Sequence, residues 1–297
     1  MKSPRLLPAS LARRRGFTIA ELLVTMVITA VLGMALVRTM VSSNRYINRL
    51  ENGREARGTA RAAVNMAALE LRMVSASTGV EAASATSLTL RVPFRLGLEC
   101  SATVGASGVL VAAFLPADTS IASVSMGYNG FGYLQSTGAY AFVSSVAVPT
   151  IGAISACTGA PASMTLAPGS VVLTMIGAAI PVAIDPATPV VIWRRVRYEF
   201  APSMLLPGRT ALWRRQLDNA GTITSSEELA APLLPTSRFG FFINNQRTSS
   251  DTVPTALANL RGIELRLVGE SARTARGTTR AEQASLVSAI FFLNRPD

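Results

Sequence analysis

The chain has 297 residues, of which 49% are hydrophobic and 15% charged, so it can bury a sizeable core and is not a disordered polyelectrolyte. Its net charge is +11 and it has no histidine, which excludes a histidine acid–base pair, a Ser-His triad and any histidine metal site. Cys100 and Cys157 are its two cysteines, too far apart for zinc-site spacing, and neither a phosphate-binding loop nor a dinucleotide fingerprint is present.

The N-terminus carries the strongest pattern. Lys2, Arg5, Arg13, Arg14 and Arg15 make a leader with no acid, and Gly16 ends it. The run Phe17-Thr18-Ile19-Ala20-Glu21-Leu22-Leu23 follows and stays apolar to Val37, where Arg38 stops it. As a helix, Phe17 to Val37 would run about 31 Å, the hydrocarbon thickness of a bilayer. Its one charge is Glu21, which lies a turn from the start. A carboxylate in an apolar span costs roughly 2.5–3.5 kcal/mol at the centre and less near the interface, so its place calls for a reason.

This junction resembles the prepilin-type cleavage and methylation motif. The resemblance is specific over residues 13–45 and loose beyond. It implies that a prepilin peptidase recognises Arg13, Arg14 and Arg15, cuts between Gly16 and Phe17 on the cytoplasmic face, and N-methylates Phe17. Glu21 then becomes the fifth mature residue. In a filament, the new amine of one subunit would be buried beside Glu21 of a neighbour, each satisfying the other. The rival is an ordinary secretory signal peptide with a mature start near Leu36; the apolar run is long for that, and an early Glu is unusual in one. Charge does not settle orientation. Arg38, Arg45, Arg49, Arg54 and Arg57, offset by Glu51 and Glu55, nearly balance the leader. The cytoplasmic N-terminus and periplasmic head therefore rest on the resemblance. With the head outside the cytoplasm, Cys100 and Cys157 are expected to pair, the alternative being two buried free thiols.

Beyond Arg38, Val41, Ile47, Leu50, Ala60, Val64, Ala67, Leu71 and Val74 recur mostly at helical steps between arginines. One helix from Phe17 to about Ser75 is expected; a break at Gly53 is the alternative. After Thr78 the pattern turns to strands. Leu88, Leu90 and Val92 alternate with polar residues. Val109–Leu115 and Val171–Ile176 are short apolar runs. Val190, Ile192, Val196, Tyr198 and Phe200 share a face; Ile263, Leu265 and Leu267 alternate; Leu286–Leu293 closes the chain. Residues 100–170 read as short strands and loops.

These elements give an α+β fold class, and the resemblance implies a pilin-like fold: one long N-terminal helix, membrane-spanning in its first half, packed on a large antiparallel β-sheet head. The divisions are a leader at 1–16, a span at 17–37, an amphipathic continuation at 38–77 and a β-rich head at 78–297. The strand ending Arg197-Tyr198-Glu199-Phe200, the segment Ala211-Leu212-Trp213-Arg214-Arg215, the stretch LANLRGIELRLVGE and the closing strand are similar to PilW-type minor pilins and J-type minor pseudopilins. That implies a minor pilin precursor that helps prime or tip a type IV pilus. The alternatives are a J-type pseudopilin of type II secretion, or a DNA-uptake pilus component whose Arg194, Arg195, Arg197, Arg214 and Arg215 contact nucleic acid. A solvated strand face accounts for the same arginines. Expected partners are the prepilin peptidase, other minor and major pilins or pseudopilins, an inner-membrane assembly platform, and membrane lipid before assembly. Asp185, Asp218 and Asp251 lie near turn residues and are expected to bond their own backbone. No cofactor, metal or catalytic residue is expected.

Overall fold

A computed structural model of the chain describes residues 17–114, 127–152, 157, 170–181, 183–274 and 279–292. The chain divides into two compact units, residues 1–50 and 51–297. Helix α1 (Ile19–Leu71) begins in the first and ends in the second, passing Gly53 and Gly58 without a break.

In the first unit the apolar side chains face outward: Ile19, Leu22, Leu23, Val27, Val31 and Leu36 are all exposed. The polar groups among them are satisfied locally. The hydroxyls of Thr25, Thr29 and Thr39 donate to the carbonyls of Leu22, Thr25 and Ala35 at 2.9, 2.7 and 2.9 Å. An apolar helix whose hydroxyls bond back into its own turn suits hydrocarbon surroundings, where unsatisfied polar groups are costly. This helix is long and apolar enough, by length and composition, to cross a membrane.

In the second unit the strands follow in chain order: β1 (Val80–Ala83), β2 (Ser87–Thr103), β3 (Gly108–Phe114), β4 (Gly130–Leu134), β5 (Tyr140–Ser144), β6 (Thr150–Gly152) and β7 (Val171–Gly177). Then come β8 (Pro189–Pro202), β9 (Thr210–Leu217), β10 (Ile223–Leu233), β11 (Arg238–Ile243), β12 (Leu260–Thr274) and β13 (Ala281–Phe291). Every pairing is antiparallel, along β11-β12-β10-β9-β8-β2-β3-β7-β6, with β1 on β2, β13 on β12, β4 on β8 and β5 on β4. Strands β2 and β8 form the spine, in register from Ser87↔Glu199 to Leu98↔Pro189. Their register slips between Pro93 and Arg95, where proline has no N–H to donate. Two clusters of buried side chains flank that slip. One gathers Leu88, Leu90, Val196, Tyr198, Leu212, Leu265 and Leu267 beneath α1. The other gathers Leu110, Phe131, Met175, Val190 and Ile192.

The helix meets the first cluster through Ala56, Ala60, Ala63, Ala67 and Leu71, all buried. Val41, Ile47 and Leu50, expected on this face, are exposed instead. Side chains that end at Cβ let the helix approach β12 so closely that a Cβ at Gly269 would lie 2.0 Å from the Ala56 carbonyl oxygen. The continuation expected to 77 ends at Leu71, and two tighter bonds close it, from the amides of Met73 to Glu70 and Val74 to Leu71. Gly79 then turns the chain, its amide bonding the Ser75 carbonyl. The last strand spans Ala281–Phe291, earlier than expected, and Leu293 and Leu115 lie outside the described residues.

Gly269→Ala should cost about 1–3 kcal/mol through overpacking against the helix backbone. Gly53→Ala, in the same helix with nothing within 4 Å, should instead gain up to about 1 kcal/mol from helix propensity. Thermal unfolding of the two variants checks the contact, and an unchanged melting point for Gly269→Ala contradicts it.

Candidate functional site

Phe17 is exposed and Thr18 precedes the first turn of α1. The Glu21 carboxylate accepts from the Thr18 amide at 3.0 Å and from the Thr18 hydroxyl at 3.1 Å, and the Glu21 amide donates to that hydroxyl at 3.3 Å. This is a reciprocal capping box: Thr18 caps the helix and Glu21, three residues on, reaches back. The Thr-x-x-Glu spacing ahead of an apolar run is the sequence signal of this box. In the free subunit, then, Glu21 is hydrogen-bonded at the end of its own helix, and the macrodipole favours a negative charge there. Gly16, Arg13, Arg14 and Arg15 lie outside the described residues.

The head offers little chemistry. Cys100 and Cys157 form a disulfide, with Cα atoms 4.8 Å apart, and Cys100 is buried with Ala113 and Val172. Among the described residues no group of three or more Cys, Asp or Glu could hold a metal ion. A polar cleft of about 400 Å³ is lined by Glu81, Arg91, Ser144, Trp193, Arg195 and Asn219. Glu81 lies 2.9 Å from Arg91 Nε and 2.5 Å from Arg195 Nε. The Arg91 contact is an ion pair by distance but too poorly aligned to be a hydrogen bond, and Arg91 donates instead to the Thr78 carbonyl at 2.8 Å.

The arginines that suggested nucleic acid are engaged within the head. Arg195 pairs with Glu81 and Arg215 with Glu199 at 2.7 Å. Arg194 stacks over Phe94 at 4.0 Å, and Arg197 donates to the Thr89 hydroxyl at 3.4 Å. Arg214 holds Glu70 of α1 with donors at 2.7 to 3.1 Å, and the Tyr198 hydroxyl donates to the same carboxylate at 2.5 Å. Burial first, and then Glu70, push the Tyr198 phenol well above its ordinary range. Burial works against the Arg214 charge, but Glu70 outweighs it and raises the guanidinium. This cluster fastens the end of the helix to β8 and β9. Of the turn acids, the Asp218 carboxylate accepts from the Thr222 amide at 2.7 Å, as expected, whereas at Asp185 the acceptor from the Thr188 hydroxyl is the backbone carbonyl and not the acid. Asp251 departs from expectation, pairing with Arg238 and Arg266.

Residues 11–37 match a family model described as the prokaryotic N-terminal methylation motif. Neither a curated protein nor a solved structure matches the chain. The chain thus carries a prepilin-type methylation motif, which supports a type IV pilin-like prepilin and implies processing by a prepilin peptidase and assembly with other pilins, ahead of a large antiparallel sheet.

One acid in the head is poised to titrate. Glu99, on β2, is buried, and its Oε2 has no hydrogen-bond partner. Burial, and then Asp185, push its carboxyl up to about 7. Between the ordinary 4.5 and about 7 the folded head keeps a proton that the unfolded chain has released, so this group makes stability fall as pH rises through that window. Glu99→Gln should flatten the fall and leave the head more stable than the native protein at pH 8. A Gln variant less stable at pH 8, in denaturant titrations across the range, contradicts this.

Proposed function

We propose that this protein is a minor pilin precursor, a structural subunit that prepilin peptidase cuts between Gly16 and Phe17 and that then helps prime or tip a type IV pilus. The observation that carries the reading is the methylation motif ending in an exposed apolar helix with one acid, Glu21, in its first turn. The peptidase recognises Arg13, Arg14 and Arg15 and methylates Phe17. The subunit waits in the inner membrane, N-terminus in the cytoplasm and head in the periplasm. On docking, Glu21 exchanges its own Thr18 for the Phe17 amine of a neighbour. Away from water, an unmatched amine or acid is costly, so docking favours the register in which they meet. The chain is thus an enzyme's substrate and a building block. The large head supports the minor class over the major one. The ion-paired arginines weigh against a DNA-contacting head.

The capping box makes the test selective. Glu21→Gln keeps a capping side chain but loses the charge, and Thr18→Ala loses the cap but keeps the charge. Glu21→Gln should be inserted and cut as the native chain is, yet enter filaments at least about tenfold less, since a buried unpaired amine costs several kcal/mol. Thr18→Ala should enter near normally. Immunoblots of sheared filaments read both, and normal entry of Glu21→Gln sinks the role. A deletion that removes surface pili supports the pilus; one that keeps pili but blocks exoprotein release moves the subunit to a J-type place in type II secretion.

A further inference from the structure

Arg91 on β2 and Arg195 on β8 stand directly opposite each other in the sheet. Like charges in that position destabilise a strand pair. One acid answers both. Glu81 of β1 turns an oxygen to each, Oε1 at 2.9 Å from Arg91 Nε and Oε2 at 2.5 Å from Arg195 Nε. Glu81 is the extra residue of a bulge: Val80 and Ala82, two residues apart, pair with Leu90 and Thr89, which are adjacent. Bulges re-aim side chains, and this one brings a single carboxylate to two guanidiniums.

The second arginine is surplus to an ion pair. Arg91, Arg195 and Glu81 line the polar cleft of about 400 Å³ with Val80, Ser144, Trp193 and Asn219, so two positive charges meet one negative and the lining is positive by one. The acids on neighbouring elements are committed elsewhere. Asp218 accepts from the Thr222 amide, Glu199 pairs with Arg215, and Glu70 pairs with Arg214. Glu81 also lies deeper than its partners: its side chain is 11% exposed, against 30% for Arg91 and 27% for Arg195. The cations therefore face the solvent more than the acid does.

Both guanidiniums are fixed in advance. Arg91 lies 5.6 Å from the ring centres of Phe142 and of Trp193, and its Nη1 donates to the Thr78 carbonyl at 2.8 Å. Arg195 donates from Nε to Glu81 and from Nη1, at 3.4 Å, to the Asn219 carbonyl. Asn219 is itself held, its Nδ2 donating to the Ser145 carbonyl at 2.9 Å and its Oδ1 accepting from Asn129 at 3.1 Å. A guanidinium has five N–H donors. Among the described residues, no partner takes the Nη2 hydrogens of either arginine, nor the Ser144 hydroxyl.

Unspent donors held in place on two planar guanidiniums suit a carboxylate. The surplus of one charge matches a single carboxylate. A phosphate dianion or a polyanion would set excess negative charge against Glu81. The Glu81 oxygens and the Asn219 carbonyl are acceptors for hydroxyl hydrogens, and Ser144 is a further donor, so the rest of the ligand is hydroxylated. The volume suits a solute of about one sugar ring.

We propose that this cleft binds a small hydroxylated monocarboxylate, of the size and chemistry of a sugar acid, with its carboxylate on Arg91 and Arg195. The site belongs to the head and does not depend on the filament reading.

Calorimetric titration of the full-length protein in a polyoxyethylene detergent at low salt tests this, with D-glucuronate as the probe. Glucuronate should bind. Glucose, which lacks the carboxylate, and inorganic phosphate should each bind at least tenfold more weakly. Arg195→Gln should weaken glucuronate at least tenfold while the Cys100–Cys157 bond still forms and the melting point stays near that of the native protein. Glu81→Gln, which removes the one acid, should raise phosphate binding relative to glucuronate at least tenfold. Should Arg195→Gln fail to fold, the three ligands on the native protein and the Glu81→Gln variant still decide. Absence of glucuronate binding, glucose or phosphate binding as tightly to the native protein, or unchanged glucuronate binding by folded Arg195→Gln overturns the proposal.

Discussion

Side chains that end at Cβ set the distance between helix α1 and the sheet of the head, and much else depends on that distance. Ala56, Ala60, Ala63 and Ala67 bring the helix backbone to within reach of β12, and Gly269 is the residue that makes room for it. Larger residues there would lift the helix and open the layer that Leu88, Leu90, Tyr198 and Leu265 now fill. The close approach also brings Glu70 into reach of Arg214 and Tyr198, so the helix end is held by a charged cluster as well as by packing. With the alanine face committed inward, Met66 and Leu69 of this segment remain exposed.

The same helix solves a different problem at its start. A carboxylate in an apolar stretch needs a partner, and Glu21 finds one in Thr18 while the subunit is alone. That arrangement is local, uses no other element, and is open to exchange. On the filament reading proposed above, a neighbour's amine replaces Thr18 as the carboxylate's partner without first unfolding anything. The exposed hydrophobic side chains around it and the internally bonded threonines keep the rest of this stretch compatible with lipid or with other helices.

Where the sequence was legible, a strong local pattern stood behind it. The apolar span shows in length and composition, and the strands around Leu88–Val92, Val190–Phe200 and Ile263–Leu267 show in their alternation. The helix's buried face showed in part: Ala60, Ala67, Leu71 and Val74 are buried as expected. Alanine is a weak hydrophobic signal, so Ala56 and Ala63, which pack beside them, went unnamed, while the bulkier Val41, Ile47 and Leu50 are exposed. The arginines on β8 and β9 looked like a basic patch because their partners, Glu70, Glu81 and Glu199, are brought near by tertiary contacts or by register rather than by neighbouring sequence. Strands β4 and β5, rich in glycine and aromatics, lie in a stretch read only as short strands and loops. The Thr18–Glu21 box was within reach of sequence, and its pattern was masked by the larger motif that contains it.

The central claim is that the chain matures at the Gly16–Phe17 junction into a filament subunit. Mass spectrometry of the N-terminal peptide from native membranes tests it most directly. The expected peptide begins at Phe17 and carries one methyl group on its amine. A peptide that begins near Leu36, or one that retains Arg13 to Gly16, contradicts the account.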